Sequence, residues 1–315
     1  MTDYKNLKLI ATSSPHIRAA ENTRSIMLDV IIAMMPALIW AIVKFGFRAL
    51  TLTAVSVVGC MFFEWGYRKL MKKPQSVNDL SAAVTGILLA FVCPVNMPYW
   101  MILVGDFFAI VVVKMPFGGT GRNVFNPAAA GMAVVTHCFS TRLFLYPDPS
   151  LNAPLALSGD LGKALTEMSP AAQLAGGGSP TYSWAELAIG RFPGPIGATC
   201  IAVLAACALY LFTRRTASPL ITLSFLAVCA LSAILFPRLK DAAWQQSVMM
   251  ELCSGYLLFA GIFLLNDPVP APRHWLGRLL YGAFAGILVM ALRYFGRFED
   301  AACFAVLLVN ALAPI

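Results

Sequence analysis

The sequence predicts an all-α polytopic membrane protein of about ten transmembrane helices, built as two inverted five-helix halves. Composition gives the first observation. Of 315 residues, 59% are hydrophobic and 12% charged, and the mean hydropathy is +0.75, outside the range of a soluble domain of this length. Second, the apolar residues come in blocks close to the ~20 that an α-helix needs to cross ~30 Å of hydrocarbon. Third, five such blocks lie on each side of one long hydrophilic stretch, and an odd number of spans inserts a repeated half upside down. Composition excludes a soluble enzyme and a disordered chain. Runs such as Ile201–Phe212 are too long and uniform for the alternating strands of a transmembrane barrel.

Each span has its boundary signals. After a polar, cytoplasmic segment 1–26, the span 27–43 runs from Arg24 to Lys44, and 49–66 from Arg48 to Arg68. The spans 79–93 and 98–113 are separated by Pro94 and Pro98, and 126–140 opens on Asn126-Pro127. These five make the first half, 27–140. The loop 141–196 is rich in Pro, Gly and Ser and too long for a simple connection. In the second half, 197–315, the span 197–213 stops at Arg214-Arg215, 219–236 lies between Pro219 and Pro237, and 248–265 ends before Asn266-Asp-Pro. The spans 277–292 and 301–315 flank Arg293–Asp300. Val84-Thr-Gly-Ile-Leu-Leu-Ala…Pro94-Val echoes Cys253-Ser-Gly-Tyr-Leu-Leu-Phe…Asp267-Pro-Val, and Phe125-Asn-Pro-Ala echoes Val309-Asn-Ala-Leu-Ala-Pro.

With the N-terminus inside, the inner segments collect 14 of the 23 basic residues, among them Arg68-Lys69, Lys72-Lys73 and Arg214-Arg215. The 141–196 loop holds Arg142, Lys163 and Arg191 against Asp148, Asp160, Glu167 and Glu186. This bias predicts both termini in the cytoplasm and the loop outside. A formal charge of +8 spread this way sets orientation and does not point to nucleic acid. The eight cysteines, scattered in apolar runs without a CxxC pair, read as packing residues rather than disulfides or metal ligands. No small-residue cleavage site follows the N-terminal segment, so a cleaved signal peptide is not expected.

The most informative stretch is Pro116-Phe-Gly-Gly-Thr-Gly-Arg-Asn-Val-Phe-Asn-Pro-Ala-Ala-Ala130. Gly118, Gly119 and Gly121 let backbone approach a ligand closely, and Asn123 and Asn126 offer both donors and acceptors. With Arg122 as its one charge and no P-loop lysine, the set suits a flat heterocycle such as a flavin ring more than a phosphate. A structural reading competes, in which Asn126 caps the fifth span, Pro127 opens it and the glycines make a turn.

An ionised carboxylate at membrane depth costs at least ~2.5 kcal/mol and marks a pathway or a pair. Asp106, inside 98–113, reads equally as an ion site or a structural hydrogen bond. Asp29, Glu64 beside Arg68, Glu251 and Asp267 lie near span ends and read as caps and interfacial pairs. His16, His137 and His274 are too dispersed to build a catalytic group. No Gly-x-Gly-x-x-Gly follows a strand, so direct NAD binding is not expected.

Further motifs occur in order along nearly the whole chain. They are Ser14-Pro-His-Ile-Arg18 with Thr23, Ile26-Met-Leu-Asp-Val30 and Pro36-Ala37; Asn78-Asp-Leu-Ser-Ala-Ala-Val-Thr-Gly86; Gly118-Gly-Thr-Gly-Arg-Asn-Val-Phe-Asn-Pro-Ala128; Asn266-Asp-Pro-Val269; and Phe304-Ala-Val-Leu-Leu-Val-Asn310. Together they resemble the D subunits of the Rnf complex, a ferredoxin:NAD oxidoreductase, whose nearest family is the B subunit of the sodium-translocating NADH:quinone reductase. The resemblance implies a flavoprotein subunit of the bacterial cytoplasmic (inner) membrane, part of a translocase rather than a stand-alone enzyme. Its partners would be the other Rnf membrane, iron–sulphur and flavin subunits, the lipid bilayer and Na⁺ or H⁺, with electron transport coupled to ion transport. The resemblance also implies a riboflavin site at the Gly-rich segment, where Asn123 and Asn126 match the paired asparagines, and an FMN esterified to a threonine of the outer loop.

The covalent site does not carry over. The best match to the family's Ser-x-Ala-Thr-Pro-Leu motif is Ser169-Pro-Ala-Ala-Gln-Leu174, which puts Ala172 at the threonine position. Ser169 and Thr166 are the nearest hydroxyls, and Thr199 falls in a separate segment, Gly194-Pro-Ile-Gly-Ala-Thr. A non-covalent riboflavin or FMN is therefore the expectation. The chain ends at Ala313-Pro-Ile315, where relatives continue with an acidic residue and a polar tail. The expected ion path runs near Gly118–Asn126 and Asn266–Pro270, with Asp106 and Asp267 as its carboxylates. Two other readings stay open: a secondary transporter or channel with inverted repeats, and an electron-silent structural subunit of the same complex.

Overall fold

The computed structural model describes residues 22–147, 166–167, 169–176, 182–239 and 244–313. The Ser14–Arg18 motif, His16, most of segment 1–26 and parts of the 141–196 loop lie outside them. Each of the ten expected spans meets a helix. In the first half these are α1 (Thr23–Phe45), α2 (Phe47–Leu70), α3 (Ser81–Val92), α4 (Tyr99–Phe107, continued by a π-helical stretch Phe108–Lys114) and α5 (Pro127–Leu143). The loop adds two short helices, α6 (Pro170–Ala175) and α7 (Trp184–Ile189), and an antiparallel pair, β1 (Tyr146–Pro147) with β2 (Thr166–Glu167). Then follow α8 (Ile201–Thr213), α9 (Pro219–Leu235), α10 (Trp244–Cys253), α11 (Leu257–Phe259, continued by a π-helical stretch Ala260–Leu264), α12 (Trp275–Phe295) and α13 (Ala302–Leu312).

The protein is an all-α, polytopic membrane protein. Among the described residues α1, α2 and α12 are long and apolar enough to cross a membrane, and α3, α8, α9 and α13 are shorter apolar helices. The expected span 248–265 is not one helix: α10 and α11 meet at a bend of 66°. Gly255 makes that break at φ 61°, where a Cβ would stand 2.2 Å from Asp300 Oδ2, so both the backbone angle and the space call for glycine. The break between α3 and α4 is held by Arg48, which is fully buried on α2. Its guanidinium donates to the carbonyls of Val95 at 2.8 Å and Met97 at 3.2 Å and lies over the Tyr99 ring.

Small residues bring the helices together, as expected where lipid supplies no hydrophobic drive between them. An ideal Cβ on Gly282 of α12 would come within 2.4 Å of the Ile221 carbonyl oxygen on α9. On Gly131 of α5 it would come within 2.7 Å of the Gly105 carbonyl on α4, and on Gly86 of α3 within 2.8 Å of the Ser56 carbonyl on α2. Large apolar side chains such as Ile39, Val58, Phe62, Leu209 and Ile287 point outward from the bundle. Gly282→Val is expected to destabilise the purified protein by ~1–3 kcal/mol through overpacking, read as a lower Tm. Gly66→Ala, at a helical position with nothing within 4 Å of the added methyl, should leave Tm unchanged.

Candidate functional site

Two discontinuous segments meet at one end of the bundle. After Lys114 the chain turns through Gly118, Gly119 and Gly121, at φ of 110°, 91° and 89°, angles that L side chains rarely adopt. It enters α5 at Asn126, whose Oδ1 accepts from the N–H groups of Ala128 at 2.9 Å and Ala129 at 3.2 Å. Asn126 Nδ2 donates to the Leu264 carbonyl at the end of α11, 2.9 Å away. The next polar residue there, Asn266, donates to Thr222 Oγ1 and to the Gly261 and Ile262 carbonyls, and its Oδ1 accepts from Ser218 N–H at 2.9 Å. With its amide turned to satisfy its neighbours, Asn310 of α13 accepts from Asn126 N–H at 2.9 Å and donates to Val306 O.

Between the segments lies a cavity of about 70 Å³. Ser81, Lys114, Thr120, Asn123, Asn126, Asn266 and Asp267 line its polar side; Met27, Val84, Leu88 and Phe263 line its apolar side. Lys114 is buried and donates to Glu64 at 2.7 Å and to Ser81 Oγ at 2.6 Å. Ser81 continues the network to Asp79 at 2.6 Å and to Thr120 at 2.7 Å. Asp267 accepts from Val269 N–H at 3.1 Å.

The structure thus brings Asn123, Asn126 and Asp267 together and leaves the glycines aside. Gly119 packs on Arg68, whose guanidinium a Cβ would meet at 2.7 Å, and Gly118 packs on Arg122. Their positive φ angles make the turn, and Asn126 is a helix cap as well as a cavity residue. Glu64 forms the expected ion pair with Arg68 and gains a second, closer one. Glu64 is fully buried, its close partner is Lys114, and Arg68 Nε stays 3.7 Å away. Lys114 and Ser81 escape a sequence reading because their partners are 50 and 33 positions away.

Asp106 does not line this cavity. It is fully buried on α4, with Oδ1 accepting from Ser56 Oγ at 2.7 Å and Cys60 Sγ at 3.2 Å. At the opposite end of the bundle Arg293 bridges Glu251 at 3.4 Å and Asp300 at 2.9 Å and donates to Ser254 Oγ, and Arg238 joins Glu251 at 3.3 Å. Asp29 pairs with Arg214 at 3.1 Å, as an interfacial carboxylate should. His274 accepts from Leu276 N–H at the start of α12, and His137 is exposed.

The flavin that the resemblance implies can be tested against these residues. Ala172 lies in the first turn of α6, has no hydroxyl, and gives its N–H to Ser169 Oγ at 3.1 Å. Ser169 is buried, caps α6 and donates to Glu299 at 2.7 Å. Burial raises the Glu299 carboxyl, and the Ser169 bond opposes that shift. Thr199 is buried as well. A cavity of about 70 Å³ is far below the ~300 Å³ at which pockets for ring-sized ligands begin. Neither Ala172 nor the cavity at Asn123 fits the flavin.

Removing Lys114 leaves the Glu64 carboxylate buried without its close counter-charge, which costs about 3–5 kcal/mol. Lys114→Met is expected to lower Tm strongly, and the double variant Glu64→Gln/Lys114→Met to restore most of the loss.

The chain matches, over residues 10–315, the family described as NQR2, RnfD, RnfE. It is 35% identical to the D subunit of the Na⁺-translocating ferredoxin:NAD⁺ oxidoreductase complex of Acetobacterium woodii, over 98% of this chain and 92% of that protein. It is 31% identical to the D subunit of the ion-translocating oxidoreductase complex of Alcanivorax borkumensis, over 98% and 94%. To the D subunit of the proton-translocating ferredoxin:NAD⁺ oxidoreductase complex of Clostridium ljungdahlii it is 26% identical, over 99% and 94%. The motif order, the paired asparagines at a broken-helix junction and these full-length matches agree: the chain belongs to the NQR2, RnfD, RnfE family.

Proposed function

We propose that this chain is the membrane subunit of an Rnf-type complex that couples electron transfer between ferredoxin and NAD to movement of Na⁺ or H⁺. The observation that carries the reading is the junction of Gly118–Asn126 with Asn266–Val269 at one polar cavity. Irregular backbone at membrane depth is tolerated where it lines such a cavity, and helix ends there supply carbonyls and amides for an ion. Names of relatives support the coupling to ferredoxin and NAD. NAD itself is bound by another subunit, with iron–sulphur and flavin subunits as partners. The setting is the bacterial inner membrane, with the N-terminus cytoplasmic and loop 141–196 outside.

The two halves, 27–140 and 197–315, are proposed as inverted repeats. In support, Lys114 at the end of α4 bonds Ser81 at the start of α3, and Arg293 near the end of α12 bonds Ser254 just before α11, at opposite ends of the bundle. In this reading the ion passes the cavity at Asn123 and Asp267. A flavin, riboflavin or FMN, is held non-covalently where a partner protein completes its site, on the exposed side of the Gly118–Asn126 segment near Phe117 and Val124. Ala172 specifically favours a second reading, an electron-silent subunit of the same complex.

Asn123→Leu is expected to lower ferredoxin-driven ion uptake into membrane vesicles by at least about tenfold, the effect of ~1.4 kcal/mol on a barrier. Unchanged uptake would remove the cavity from the path. In a denaturing gel of the native complex this subunit should show no flavin fluorescence, while native extraction releases riboflavin or FMN. A fluorescent band would overturn the non-covalent reading, and peptide mapping would then decide among Ser169, Thr166 and Thr199. No flavin at all would favour the electron-silent subunit.

A further inference from the structure

We infer that Asp106 is a proton-binding site, holding one exchangeable proton on its carboxyl inside the membrane and taking no larger ion. The carboxyl is fully buried. Ser56 Oγ at 2.7 Å and Cys60 Sγ at 3.2 Å both reach Oδ1, but the single Ser56 hydrogen is also claimed by the Gly86 carbonyl at 2.9 Å. Oδ2 is buried with no hydrogen-bond partner among the described residues. An ionised carboxylate buried this way would need a cation or several donors on both oxygens, and it has neither. The titratable groups around it are the thiols of Cys60 and Cys93, Glu64, and Lys114. Lys114, the one cation of that set, lies eight residues further along the same helix and is bonded to Glu64. The charge balance at Asp106 is met by a proton on the carboxyl itself.

Packing excludes a metal ion. A Cβ on Gly59 would stand 3.0 Å from Asp106 Oδ2 and 2.6 Å from Leu103 Cδ2, so α2 and α4 already touch at this oxygen. On the other side Gly86 of α3 is closed against the Ser56 carbonyl and Val57 Cα, both at 2.8 Å from an ideal Cβ. The oxygens that could ligate a cation are engaged with one another, since Ser56 Oγ bonds both the Gly86 carbonyl at 2.9 Å and Asp106 Oδ1. A proton needs none of that space. Its exchange route follows α2, where Ser56, Cys60 and Glu64 recur every four residues and so share one face. Glu64 bonds Ser76 and Lys114 at the cavity end of the bundle.

The test is infrared difference spectroscopy on the native complex in its membrane against Asp106→Asn, at neutral pH and without ferredoxin or electron flow. The native protein is expected to show the C=O band of one protonated carboxyl that is missing from Asp106→Asn and shifts to lower frequency in D₂O. If Asp106→Asn fails to assemble, native protein grown with ¹³C-carboxyl aspartate gives the same assignment when compared with Asp106→Glu, in which the band keeps its unlabelled frequency. A spectrum with no such band would show an ionised Asp106 and overturn the inference. So would a band that does not respond to D₂O after prolonged exchange, which marks a fixed structural hydrogen bond, or one abolished by Na⁺, which marks a metal-ion site. None of these outcomes depends on the flavin or on ion uptake, so failure here leaves the Rnf-type reading standing.

Discussion

Every helix that ends inside this bundle leaves backbone groups that neither lipid nor water can satisfy, and the fold depends on how those groups are met. Unpaired amides and carbonyls in a low-dielectric interior cost several kcal/mol each. Three side chains meet the need at the critical junctions. Asn126 serves two helices at once, its oxygen capping α5 and its nitrogen taking the last carbonyl of α11. Asn266 closes the same end of α11 onto α9. Asp300 accepts from Tyr256 N–H at the start of α11 and from Ala302 N–H at the start of α13. Because each cap joins elements remote in sequence, the caps fix α11 against α5, α9 and α13 and leave the polar cavity beside its end.

Charge follows the same logic. The buried cations, Arg48, Lys114 and Arg293, each sit at a helix break or terminus and bond carbonyls or hydroxyls there in addition to any carboxylate. They bind the breaks and are not scattered surface charges, in keeping with the cost of an unpaired ion at this depth. Glycine does the complementary task, letting backbones approach where Gly282, Gly131 and Gly86 face a neighbouring carbonyl.

Hydrophobic length and boundary residues made the helices legible in the sequence, because hydrocarbon thickness imposes a length scale on each span. The N-cap at Asn126-Pro127 was equally legible, since capping is local. The break at Gly255 was not. A single glycine among apolar residues reads as packing until Asp300, 45 positions on, is seen to occupy the space beside it. Asn123, Asn126 and Asp267 could be named from motifs, yet their convergence could not, because it arises from the bend of α11 toward α5. Glu64 pointed to Arg68 by its i,i+4 spacing, the strongest local rule for helix surfaces. That pair forms, at 3.7 Å, and burial adds a shorter one to the lysine arriving from α4.

The ion pairs have an electrical consequence. At one end Glu251 and Asp300 face Arg293 and Arg238, two negative groups against two positive, and at the other Glu64, with Asp79 linked through Ser81, faces Lys114 and Arg68, again two against two. Each set sums to zero formal charge. A membrane voltage exerts work of ~2.3 kcal/mol per 100 mV on each elementary charge that crosses it, but a neutral, fixed set offers it no net charge to displace. These clusters therefore stay in place as the voltage rises and falls. The field falls instead on whatever mobile charge enters between them, which makes the scaffold insensitive to the gradient that its complex would build.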